Sequence, residues 1–137
     1  RCSMITTLLI SLLGVATALS LHYVNIAWLA DRISGKLHSK FAAMHVILLI
    51  GVCSQMLNAG VFCLCYLIGI ELDLGEFKDG NSVKDIFYFS LTTITTLGLG
   101  SVQPTEDLRM IAGVESATGF LLISCSASKL FSRMADK

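Results

Sequence analysis

The residues best arranged for recognisable chemistry are Thr95-Thr96-Leu97-Gly98-Leu99-Gly100. A dehydrated cation needs oxygen atoms to replace its water. Backbone carbonyls supply them when several consecutive peptide units point inward together. Alternating glycines permit the dihedrals this needs, because they lack the Cβ that forbids them elsewhere. A threonine hydroxyl at one end adds a further ring of oxygens. One chain offers one wall of such a cage, so the sequence predicts four chains around an axis.

Such a backbone must be held by its neighbours. The apolar stretch Ile86 to Thr105 carries no charge, yet it contains Gly98, Gly100, Pro104 and several threonines. Unpaired backbone amides cost several kcal/mol each in lipid, so irregular backbone survives there only inside protein or beside water. The stretch is therefore expected to be a re-entrant unit, a short helix over about Val83 to Thr95 followed by extended chain. Ser82 with Asp85 three residues on has the capping-box pattern for its start. Thr105 is expected to cap the last helix, with Glu106 and Asp107 in its first turn, and that helix should run to about Met134. Its mixture of Glu115, Ser116, Thr118, Ser124, Ser126 and Ser128 with apolar residues suits a helix that borders a water-filled path or packs through small residues.

Two further runs frame this unit. No Asp, Glu, Lys or Arg occurs between Met4 and Ala30, or between Phe41 and Ile70. A bilayer core of ~30 Å needs about 20 apolar residues of helix, so both runs are expected to span. Each is too long for the apolar part of a signal peptide. Only 15% of residues are charged, against ~25% in soluble chains, so a short soluble chain would lack the polar surface to enclose both. Arg32, Lys36 and Lys40 lie in one loop, and Lys129, Arg133 and Lys137 in the tail. The positive-inside rule places both in the cytoplasm, with the N-terminus and the acidic 71–85 loop external; Arg1 counts against this assignment. Tyr23 and Trp28 suit an interfacial helix end.

The zero net charge suggests no nucleic-acid partner. Cys63-x-Cys65 has the wrong spacing for the usual zinc pairs, and the four cysteines within apolar runs read as small hydrophobes. A dinucleotide fingerprint would need its third glycine at Gln103 and a preceding strand. No catalytic constellation appears, and the chain is not expected to be an enzyme or to carry a cofactor. His22, Asn25, His45, Gln55 and Asn58 are expected to make hydrogen bonds between helices.

The segment Ser90 to Pro104 resembles the pore region of tetrameric potassium channels, whose pattern is T-x-G-[YFL]-G-D-x-x-P after a short pore helix. The chain resembles small bacterial members of the two-transmembrane ion-channel family, with His45 early in the outer helix and Glu115 then Gly119 early in the inner one. The resemblance covers roughly residues 41–134. It implies an all-α membrane protein: three transmembrane helices plus a re-entrant pore helix and selectivity filter, in a homotetramer. Residues 1–40 would form an additional N-terminal helix and cytoplasmic loop, whose role the motif does not assign, and residues 41–137 the pore module. Potassium ions would bind the carbonyls of Thr96, Leu97, Gly98 and Leu99 and the Thr96 hydroxyl, with Gly100 completing the filter. The carbonyl cage is the established mechanism of potassium-channel filters and is carried over from them. Thr95 and Ser101 would support the filter, and Gly119 is a candidate gating hinge, with a plain small-residue contact as the alternative. Glu115, an acid at membrane depth, is expected to support the filter by bracing the end of the pore helix or the Ser101 loop, with a proton-sensitive gate as the alternative. The implied location is a bacterial inner membrane, and the partners are three further copies and the lipid bilayer.

Two departures matter. Leu99 stands where tyrosine is commonest, and Ser101 replaces the usual aspartate. Both remove groups that brace a filter from behind, so weak selectivity among cations is an alternative expectation. A non-conducting membrane scaffold that keeps the fold is another. No arginine ladder suggests voltage sensing.

Overall fold

The two charge-free runs form long helices. In the computed structural model, which describes residues 2–37, 39–80 and 82–135, α1 spans Cys2–Tyr23 and passes through a π-helical segment, Val24–Leu29, into α2, Ala30–Ser34. Arg1, Asp136 and Lys137, used in the charge argument, lie outside the described residues, as does the side chain of Arg133. After a short loop, α3 spans Lys40–Glu71, with the Ser39 side chain accepting from the Ala42 amide at its start. Three stretches are long and apolar enough to cross a membrane: Ser3–Ile33, Lys40–Glu71 and Leu108–Ser132.

Polar residues persist in these helices because their hydroxyls fold back onto the helix. Thr7, Ser11, Thr17 and Ser20 in α1 each donate to the carbonyl four residues earlier. Thr118, Ser124 and Ser126 near the chain end do the same. An intrahelical bond of this kind satisfies the hydroxyl without a second helix.

The third apolar stretch divides as its composition predicts. A twelve-residue helix, α4, spans Val83–Ile94 and is followed by extended chain. The expected capping box is formed: the Ser82 side chain accepts from the Asp85 amide at 3.2 Å, and the Asp85 carboxylate accepts from the Ser82 amide at 3.4 Å. The extended chain ends in a two-residue strand, β2 (Gln103–Pro104), antiparallel to β1 (Phe77–Lys78), with Phe77 opposite Pro104. Proline is tolerated because a two-stranded ribbon has only edges.

The start of the last helix differs from expectation. It spans Leu108–Ala135 as α5, with no acidic residue in its first turn. Thr105 does not cap it. Its hydroxyl instead accepts from the Glu76 amide and donates to the Glu76 carbonyl, and its own amide donates to the same carbonyl at 2.8 Å. Glu106 then takes a left-handed conformation, φ 47°, which no right-handed helix accommodates. Pairing with the β1 segment thus displaces the helix start by two residues, from Glu106 to Leu108.

α4 lies between α3 and α5. Tyr66 of α3, Phe77 of β1 and Phe89 of α4 form a triangle of edge-on rings with centroids 5.3–5.6 Å apart, a favourable arrangement for aromatic quadrupoles. α5 is in close contact with α4 at Gly119, where a Cβ would stand 1.7 Å from the Ile94 carbonyl oxygen. No side chain fits there, so this glycine has a packing role whatever else it does. Gly119→Ala is expected to push α5 from α4 and destabilise the fold by roughly 1–3 kcal/mol, the usual cost of overpacking. Thermal unfolding of the detergent-solubilised protein, followed by loss of the monodisperse species, measures it.

Candidate functional site

The site begins where α4 ends. The Thr95 hydroxyl donates to the Leu91 carbonyl at 2.7 Å, closing the last turn. The Thr96 amide reaches the Thr93 carbonyl at 2.9 Å. The carbonyl of Thr92 then accepts two amides, from Leu97 at 2.9 Å and Gly98 at 3.0 Å. The helix end, closed by the Thr95 hydroxyl, thereby holds the start of the extended segment through main-chain bonds.

Along that segment the backbone alternates in hand. Thr96, Gly98 and Gly100 have φ of 58°, 63° and 143°, whereas Leu97 and Leu99 are not among the positive-φ residues. At Gly98 a Cβ would meet nothing within 4 Å, so the glycine is there for its dihedral and not for space. Thr96 is the notable member, since a β-branched residue with positive φ is a conformational outlier. Strain of this kind is tolerated where surrounding structure enforces it, and it concentrates at functional sites. All of residues 96–100 are exposed on the single chain, Leu97 at 62% and Leu99 at 57%. Ser101 is also exposed, and the ring of Tyr88 stands behind Gly100.

Beneath α4 lies a buried polar junction. Glu115 of α5 has no exposed surface. The Tyr66 hydroxyl donates to its Oε2 at 2.5 Å, and the Ser90 hydroxyl lies against its Oε1. Ser90 is also 2.8 Å from the Ala59 carbonyl oxygen. One carboxyl group thus ties α3, α4 and α5 together. It contacts Ser90 in the middle of α4, and neither the end of that helix nor Ser101 is among its hydrogen-bond partners. Neither Tyr66 nor Ser90 stood out in the sequence. The available signal was general: an acid at membrane depth and a buried tyrosine hydroxyl each require a polar partner.

The other polar residues of the spans divide. His22 is buried, with Nδ1 3.1 Å from Ser54 Oγ and Nε2 3.2 Å from Ser126 Oγ. Asn25 donates to the same Ser54 hydroxyl at 3.3 Å. These two bond between helices as expected. His45 does not: it is exposed, contacts its own helix at the Phe41 carbonyl and stacks on the Phe41 ring. Gln55 and Asn58 are buried, and their amide groups have no hydrogen-bond partner among the described residues. Among the described residues, no His, Cys, Asp and Glu cluster could hold a metal ion, and Cys63 and Cys65 are free thiols in the core.

A short helix and a hand-alternating segment lie between two long apolar helices. The family model described as "Ion channel", of two-transmembrane type, matches residues 53–136, more than half of the 137-residue chain. The chain belongs to this ion-channel family, a class of membrane transport proteins. No curated protein and no solved structure matched the chain.

Removing the buried carboxyl group strands its partners. Glu115→Ala is expected to leave the Tyr66 hydroxyl without an acceptor and to cost roughly 1–3 kcal/mol, the penalty for an unsatisfied buried polar group. Glu115→Gln, which keeps an acceptor in place, is expected to cost less. Thermal unfolding of the two variants beside the parent protein measures the difference.

Proposed function

We propose that four copies of this chain form a passive transmembrane channel that conducts potassium through a carbonyl filter built from Thr96-Leu97-Gly98-Leu99-Gly100. The alternation of φ sign over residues 96–100 carries this reading. A backbone that alternates in hand can turn successive carbonyls toward one side, and a ring of four such walls replaces an ion's hydration shell. α4 then acts as the pore helix, its C-terminal partial negative charge aimed at the centre of the membrane, where it favours a cation. Thr95 supports the filter by closing the helix end, and Glu115 supports it by fixing α4 from below.

The four-fold assembly has support on the flank of the segment. A groove of about 620 Å³ there is lined by Leu91, Leu97, Ile123 and Leu130, among others; a neighbouring copy would cover it. Ser124, Ser128 and Ser132 are exposed on the half of α5 beyond Gly119, a suitable lining for a hydrated ion. A hinge at Gly119 would have to open the close contact with Ile94. By the charge of its loops the channel sits in a cell membrane with the 31–40 loop and α5 end on the cytoplasmic side.

A second reading concerns selectivity. Leu99 cannot donate a hydrogen bond, and Ser101 carries no charge, so the filter is braced less than the common tyrosine and aspartate brace it. We infer a filter that passes some sodium beside potassium. Purified protein in liposomes is expected to carry potassium flux, and the absence of any cation flux would favour a non-conducting scaffold. Reversal potentials in mixed potassium and sodium should lie between the two equilibrium potentials. A value at the potassium potential would remove the loose-filter reading. Gly98→Ala is expected to abolish flux, because alanine resists the φ of 63°.

A further inference from the structure

The first helix lies outside residues 53–136, the part that the ion-channel family accounts for. It is nevertheless joined to the pore module by buried and half-buried polar contacts, and these converge on one half of α5. His22 bridges Ser54 of α3 and Ser126 of α5, one through each ring nitrogen. One helical turn further along α5, the Lys129 ammonium is 2.6 Å from the Asp31 carboxylate in α2. Ser126 and Lys129 both lie beyond Gly119, where α5 is in close contact with Ile94 of α4. Between His22 and Asp31 the helix is π-helical, Val24–Leu29. Such segments are rare and often functional; the wider turn shifts the helical register between the two contact points.

We propose that this first helix is a built-in clamp on the distal half of α5, holding it against α3 through His22 and against α2 through Asp31, and that loosening the clamp changes how often the pore is open. The regulatory half of this proposal rests on the conduction reading given above. α5 is held near its start by Glu115 and Gly119, close to the filter. Beyond them α5 turns Ser124 and Ser128 outward, and among the described residues its polar ties to other helices include those to His22 and Asp31. Movement of this half therefore has to break contacts made by the accessory helix, while the filter's own supports stay intact. Apolar packing against lipid resists such movement little, since lipid and leucine are equally apolar, so interhelical polar contacts carry much of the restraint.

The test uses the full chain reconstituted in liposomes, with two readouts: amide hydrogen exchange over residues 122–132 and single-channel open probability. The variants are Ser126→Ala, which removes a small hydroxyl and leaves the helix intact, Lys129→Asp, which sets two acids together, and Asp31→Lys with Lys129→Asp, which restores the pair reversed. Ser126→Ala and Lys129→Asp are expected to raise exchange over 122–132 and to shift open probability in the same direction, by about threefold for a contact of ordinary interhelical strength. Single-channel conductance and reversal potential should stay at the parent values. The reversed pair should return both readouts toward the parent. Unchanged exchange in both single variants would overturn the clamp, whatever the currents do. Altered exchange with an unchanged open probability would overturn its regulatory role. A parent protein without cation flux would refute the conduction reading, and the regulatory role with it, while exchange would still decide whether the clamp exists.

Discussion

A carboxyl group buried among three helices is the constraint on which the rest of this structure depends. Glu115 is fully enclosed, and an acid at that depth is costly unless its oxygens are engaged. Tyr66 and Ser90 engage them. The consequence is geometric. Tyr66 also anchors the aromatic triangle that holds Phe77 and Phe89, so the junction controls both the short ribbon and the angle of α4. Because α4 is only twelve residues long, fixing it at Ser90 fixes the point from which residues 96–100 depart.

The segment beyond α4 is organised differently. Its start is held by main-chain bonds, two of them to the Thr92 carbonyl, and its far end by pairing of Gln103 and Pro104 with Lys78 and Phe77. Between these anchors the chain is exposed, and its conformation rests on the sign of φ at three alternate residues. Two of these are glycines, which accept the dihedral freely, and the third is a threonine, which does not. A backbone tied at both ends and bare in the middle suits a surface completed by other copies of the chain. It also leaves Leu99 and Ser101 with little to hold them, the physical ground for reading the filter as loosely braced.

The polar residues of the long helices have three fates. Serines and threonines mostly satisfy themselves on their own helix. His22 and Asn25 join helices. Gln55 and Asn58 do neither among the described residues. Type alone does not separate these outcomes. A hydroxyl can always reach back one turn, whereas an imidazole or amide depends on what the neighbouring helix presents.

Much was legible in the sequence because it is encoded locally. The charge-free runs determined the long helices, since spanning requires only sustained apolarity. The glycines, threonines and proline of the third run excluded a plain span, and Ser82 with Asp85 marked the start of α4, because a capping box closes within four residues. Tertiary structure decided what lies far apart along the chain. Thr105 looked like a helix cap, but pairing with Glu76 took its hydroxyl and amide and delayed α5 to Leu108. Tyr66, Ser90 and Glu115 carry no spacing signal, because their meeting depends on how three helices rotate and slide against one another. The docking of the first helix on Ser54, Ser126 and Lys129 is of the same kind. Sequence periodicity tells which residues can share a face; only packing decides which faces meet.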